Sequence, residues 1–214
     1  KDFSNLPSLA LSQAAKEVIR MSGPATDMLE AIGEFLEDRD PEKLDFLKRE
    51  DDKVDYLRRR ITPYLARLSE EEMSEEDSAK QTSLMETTVE IEHVGDLASK
   101  NIHGNLVKLL EGGLHFSEEG RKDLGRLHSE VLMVFYTAIN AFASTDQGLA
   151  RKVVEKKGEV DELAERLRRE HFARLNKGLK ETLETTTIHL DLIDDLREIN
   201  SYSHRIARNV LGER

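Results

Sequence analysis

The feature that most narrows the fold of this chain is that it repeats itself. The stretch beginning at Met28, MLEAIGEFLEDRDPEKLDFLKREDDKVDYLRRRITPYLARL, has a counterpart beginning at Val134, VFYTAINAFASTDQGLARKVVEKKGEVDELAERLRREHFARL. Phe35 corresponds to Phe142 and Asp55 to Asp161, and both stretches end in Ala-Arg-Leu. The offset is 107 residues and slips to 106 across the turn. A second correspondence runs at an offset of 99: Glu92, Asp96 and Asn101 against Asp191, Asp195 and Asn200. Self-similarity of this kind is one supersecondary unit used twice.

Each unit reads as three helices. Leu47, Val54, Ile61, Leu65 and Leu68 form one stripe at helical spacing, and Leu84, Ile91, Ala98, Ile102 and Leu109 form another. No sustained alternation of period two competes with them. Charged residues at 35%, aromatics at 5% and only four prolines favour long helices. After a loose lead-in over residues 1–7, a first helix runs from Ser8 to about Leu36, with a kink or a short break at Gly23-Pro24 and no domain boundary there. Asp40-Pro41 restarts the chain with an N-cap followed by a proline in the first helical position. A loop over SEEEMSEED leads to Ser74 as the cap of a third helix, which ends near Gly112-Gly113. Ser117 opens a fourth, STDQG separates it from a fifth ending near Gly178, and a sixth runs from about Glu181 to Leu211. The expectation is an all-α chain of two tandem three-helix bundles, residues 1–114 and 115–214, together one domain.

Charge and composition exclude several functions. With 43 acids against 32 bases, a net charge of -11 repels nucleic acid. No stretch approaches the ~20 apolar residues of a membrane span, so direct membrane insertion is not expected. Cysteine is absent, which removes disulfides, thiolate metal sites and a Cys nucleophile. No G-x-S-x-G elbow or Gly-rich phosphate loop occurs. The chain opens at Lys1 rather than Met, as a piece of a longer protein would.

What remains is carboxylate chemistry. Asp51/Asp55 and Glu92/Asp96 are both i, i+4 pairs, so each projects two acids from one helical face. Asp51 falls on the core-facing stripe, where a carboxylate needs a partner or a raised pKa. Gly95 lies inside the second pair, where a mid-helix glycine costs roughly 1 kcal/mol and lets a neighbour approach. If the two helices adjoin, four carboxylates converge and need cations. Oxygen ligands suit magnesium, calcium, manganese or iron, and His93 stands beside them. In the second unit Asp161, Asp191 and Asp195 remain, but Lys157 replaces the equivalent of Asp51 and can neutralise the acids itself. Two other readings stay open. Glu90-x-x-His93 is half of a ferritin-like di-metal site, although no second Glu-x-x-His exists. Alternatively every acid is solvated, and the chain is a metal-free helical interaction module.

At these residues the sequence resembles the PhoU family. The family's acid-x-x-x-Asp motif is matched by EHVGD at Glu92–Asp96, DDKVD ending at Asp55, EVD ending at Asp161 and DLIDD at Asp191–Asp195. GDLASKN and DLREINSYSHRIA look most like the PhoU-like domain at the C-terminus of sodium/phosphate cotransporter-related proteins. The likeness covers about residues 8–211. It implies a non-catalytic regulatory role in phosphate homeostasis, with metal at Asp51, Asp55, Glu92, Asp96, Asp161, Asp191 and Asp195. Iron, zinc, manganese and magnesium are the ions implied. It further implies a membrane-embedded sodium/phosphate transporter part upstream in the same chain, a place at the cytoplasmic face of the cell membrane, and room for a homodimer.

Overall fold

The computed structural model describes residues 6–68, 73–178 and 180–213. The helices are α1 (Leu6–Asp38), α2 (Glu42–Leu68), α3 (Glu75–Asp96), α4 (His103–Glu111), α5 (Glu118–Ser144), α6 (Gln147–Asn176) and α7 (Lys180–Leu211). A single π turn, Leu97–Ile102, joins α3 to α4, so the two run on as one long helix. Among the described residues there is no strand. Of the lead-in expected over residues 1–7, residues 1–5 lie outside the described residues and Leu6 and Pro7 already belong to α1; of the loop expected over 69–77, residues 69–72 lie outside them and α3 begins at Glu75.

The ends of the helices follow from local chemistry. Asp40 Oδ1 accepts from the Glu42 amide at 2.9 Å. Ser74 Oγ accepts from Asp77 N, Ser117 Oγ from Gly120 N, and Asp146 Oδ1 from Gly148 N and Leu149 N. Left-handed residues follow the ends of five helices, with φ of 58° at Arg39, 60° at Gly113, 53° at Thr145, 71° at Gly178 and 69° at Gly212. No break occurs at Gly23-Pro24, and α1 continues as helix through Pro24. Packing holds it there, because Met21, Ala25 and Met28 around the proline are fully buried. Next to it, the Ser22 and Thr26 hydroxyls donate to the carbonyls of Ile19 and Ser22.

Within the first unit α1 packs on α2 and α3, and within the second α5 packs on α6 and α7. The two units meet through α1 with α5 and α3 with α7. One continuous core runs through both, with Phe35 and Phe135 as its largest fully buried side chains. Burial shows the repeat directly. Leu44, Leu47, Val54, Leu57, Ile61 and Leu65 on α2 have their buried counterparts in Ala150, Val153, Val160, Leu163, Leu167 and His171 on α6, at the expected offset of 106. For α3 and α7 the offset differs from the expected 99. Leu84, Thr88, Ile91, Ala98 and Ile102 correspond in burial to Thr185, His189, Leu192, Ile199 and Ser203, an offset of 101. Two residues on a helix are a rotation of roughly 200°. Asp191 and Asp195 therefore do not take the orientations of Glu92 and Asp96.

Candidate functional site

The first unit assembles its four acids on one face of α2 and α3. Asp51 sits where α3 comes closest: a Cβ built on Gly95 would lie 3.3 Å from Asp51 Oδ1. The missing side chain is what lets the two helices approach. The π turn places the buried Ser99 hydroxyl beside Asp51, short of hydrogen-bond alignment. Partial burial pushes the Asp51 carboxyl up, Ser99 and Lys100 pull it down, and Asp55 and Asp96 push it further up. Glu92 is also raised, first by burial, against the pull of Arg58 and with Asp96 and Asp55 adding to it. Asp51 and Glu92 thus each lie within electrostatic range of Asp55 and Asp96.

Three of the four are also held in ion pairs. Arg58 Nε meets Glu92 Oε1 at 2.5 Å, Arg59 Nη2 meets Asp55 Oδ2 at 2.9 Å, and Lys100 Nζ meets Asp96 Oδ1 at 2.5 Å. Among the described residues no three His, Asp or Glu side chains are arranged to hold a metal ion as they stand. The stripe position expected for Asp51 belongs to its neighbour. Glu50 is the buried acid of α2, its Oε1 held by Lys53 at 2.6 Å and its Oε2 without a partner. At 3.6 residues per turn, positions 50 and 51 flank the line from Leu47 to Val54 on opposite sides, and packing buries Glu50.

The second unit does not bring its acids together. Asp161 Oδ2 takes Lys157 Nζ at 2.6 Å, and its Oδ1 faces Arg197 Nε at 3.5 Å and Asn200 Nδ2 at 3.5 Å. The lysine neutralises Asp161 as its position in the repeat implies. Asp195 instead faces the first unit, where its Oδ1 accepts from Asn101 Nδ2 at 3.2 Å. Asp191, Asp194 and Asp195 line a cleft of about 410 Å³ with Lys100, Asn101 and Lys108. Burial pushes Asp195 up to about 6, and Asp191 and Asp194 add to it. Its Oδ2 is buried without a hydrogen-bond partner.

Several residues that shape these sites were not singled out by the sequence reading. Arg58 and Lys100 follow acids at helical spacing, and Asp96/Lys100 and Asp55/Arg59 are i, i+4 pairs visible in the chain itself. Arg197 becomes visible only once the register of α7 is known. Glu90 of the ferritin-like reading is committed elsewhere: Arg205 of α7 reaches it at 3.3 Å, and His93, 3.7 Å away, packs its ring on Tyr202.

The comparisons with known proteins agree with this fold. The model of the PhoU domain matches residues 18–102 and again 124–210. A protein named for inorganic phosphate export, YjbB of Salmonella typhimurium (strain LT2), is 30% identical over 97% of this chain and 38% of its own length. The chain thus spans well under half of that relative. The phosphate-specific transport system accessory protein PhoU homolog of Xylella fastidiosa (strain 9a5c) is 25% identical over 94% of this chain and 83% of its own. The crystal structure of PhoU from Pseudomonas aeruginosa superposes with a TM-score of 0.88 at 21% identity, covering 95% of this chain and 96% of that one. The last two correct the expectation of a membrane-embedded sodium/phosphate transporter part upstream in the same chain. In them a fold of this extent makes up most or nearly all of the chain. Among the described residues here, no helix is long and apolar enough to cross a membrane.

Proposed function

This chain belongs to the PhoU family, and from that premise we propose that it is a non-catalytic accessory that regulates phosphate transport from the cytoplasmic face of the cell membrane. The carboxylate face of its first unit serves as a binding site for a divalent or transition metal ion. The relatives named for phosphate export and for the phosphate-specific transport system support the first part. The second part rests on one observation: Asp51, set against Gly95, and Glu92 each lie within range of both Asp55 and Asp96, and burial already disfavours the charge of both.

In the resting chain Arg58, Arg59 and Lys100 supply the positive charge. Exposed ion pairs of this kind are worth roughly 0–1 kcal/mol. A metal ion with several oxygen ligands therefore displaces them at little cost, and magnesium, manganese, iron and zinc are the ions to test. Binding frees Arg58 and Lys100 for other contacts, which couples metal occupancy to the surface shown to a partner. In the second unit Lys157 and Arg197 already hold Asp161, so metal there is weaker or absent.

The test is thermal unfolding of chelator-treated protein with Mn²⁺ or Fe²⁺ added. The wild type gains in Tm and the Asp51→Ala/Glu92→Ala variant does not. Lys157→Asp raises the number of ions bound. No gain in the wild type, or the same gain in the double variant, counts against the site. In cells, loss of the chain changes phosphate uptake, and unchanged uptake counts against the regulatory reading.

A further inference from the structure

The outer groove between α1 and α2 carries charge of the opposite sign to the rest of the chain. Lys53, Tyr56, Arg60, Tyr64 and Arg67 follow one another on α2 at spacings of three and four, a single helical face. Tyr56 is 55% and Tyr64 39% exposed, in a chain with few aromatics. The cleft beneath them holds about 480 Å³, with Ala14, Leu57 and Ile61 on its floor and Arg20 on its α1 wall.

Of the four cations around this groove, two are uncommitted. Arg60 donates to the Tyr56 hydroxyl at 3.2 Å and lies over its ring, and Arg67 Nε donates to the Pro63 carbonyl. Neither has a carboxylate partner among the described residues, although the chain bears 43 acids. Lys53 is taken by Glu50 and Arg20 by Glu17. Asp52 borders the groove, and toward Asp27, Glu30 and Glu34 the same face turns acidic, which bounds the basic segment.

We infer that this groove is a docking surface for an acidic amphipathic helix of another protein. Tyrosine and arginine are the side chains that anchor interfaces, because each combines large contact area with polar reach. The two tyrosines are eight residues and about 12 Å apart along α2, and the basic face spans about 21 Å. That length suits a helix of three or four turns laid in the groove with its apolar stripe on Leu57 and Ile61. A small molecule seated in the cleft would leave Lys53 and Arg67, which lie outside its lining, uncontacted, and a concave floor does not fit a flat bilayer. The net charge of -11 opposes a second copy of this chain. The surface stands apart from the metal face and does not depend on it.

The probe is a fluorescein-labelled designed helical peptide of about 14 residues, with leucines on one stripe and glutamates flanking it, read by fluorescence anisotropy. The wild type binds it, added salt weakens binding, and Arg60→Glu and Tyr56→Ala/Tyr64→Ala each weaken it about tenfold or more. Unchanged circular dichroism shows that both variants stay folded. The inference is overturned if the wild type does not bind, if the variants bind equally, or if a peptide with lysine for glutamate binds as well. Sedimentation with phosphatidylglycerol vesicles that both variants lose assigns the face to a bilayer instead. Self-association lost in the variants assigns it to a second copy.

Discussion

In the first unit the main charged cluster lies along the outer flank of α2 and α3, where four carboxylates face three cations. In the second unit the corresponding cluster of charged and histidine side chains lies at the buried far end of α5, α6 and α7. There Asp123 meets Arg174 at 2.8 Å, with both side chains largely buried, and His171 stacks on His189 with ring centroids 4.3 Å apart at 19°. Registers that match in burial make the contrast concrete. His171 stands where the first unit has Leu65, His189 where it has Thr88, and Lys157 where it has Asp51. One helical plan has thus been given two jobs. The first unit keeps an acid surface open to exchange of cations. The second has neutralised its equivalent and carries its polar groups inside.

The sharpest way to break this contrast is at Arg174. Arg174→Ala leaves Asp123 charged and buried without its partner, and should cost about 3–5 kcal/mol in urea unfolding. Burial already pushes Asp123 up against the pull of Arg174. A cost below about 1 kcal/mol would show that the pair is solvated and that the second unit lacks an internal polar cluster.

Acid comes next. His189 is held down to about 3, first by burial and then by His171 and Arg174, and His171 is lowered as well. A depressed folded pKa means that the unfolded chain binds the proton first. Stability is therefore complete above the ordinary histidine value of 6.5 and falls as pH drops from there toward 3. The facing charges are Asp123 on α5 and Arg174 on α6, the latter opposing protonation further. Amide exchange should show the end of α6 and the start of α7 losing protection first on acidification, with His189→Phe delaying the loss. Simultaneous opening of both units would contradict the contrast.

Asp195 at the junction of the units runs the other way. Its folded pKa of about 6 lies above its ordinary value of 3.8, so its charge is a cost above pH 6 that disappears as pH falls below 4. Asp195→Asn should raise Tm at neutral pH and leave it unchanged in acid. Gly95→Ala is the mildest change. A methyl would meet Asp51 Oδ1 at 3.3 Å and Met28 Cε and Val54 Cγ1 at 3.4 Å, while the helix gains roughly 1 kcal/mol of propensity. Stability should move by less than about 1 kcal/mol, and metal affinity should drop.

Much of the fold was legible in the chain because its signals are local. Asp40, Ser74, Ser117 and Asp146 mark helix starts through their own side-chain oxygens. The stripes of α2 and α6 repeat closely enough to fix the duplication. What was not legible depends on rotation and partners. Matching Asp96 to Asp195 by identity gave an offset of 99, whereas burial sets it at 101 and turns Asp191 and Asp195 toward the first unit. Asp51 and Glu50 are adjacent in sequence, and only the packed bundle decides which of them is buried. Pro24 carries a strong local signal for a break, which the packing around it overrides. The four acids of the first unit were placed together by pattern, but the arginine and lysine that balance them were not.

The most direct test of the contrast is elemental analysis of protein purified without chelator, alongside the Asp51→Ala/Glu92→Ala variant. The account predicts about one equivalent or more of a transition metal in the wild type, lost in the variant and retained in Asp191→Ala/Asp195→Ala. Metal-free wild type, or metal that survives loss of Asp51 and Glu92, would contradict it.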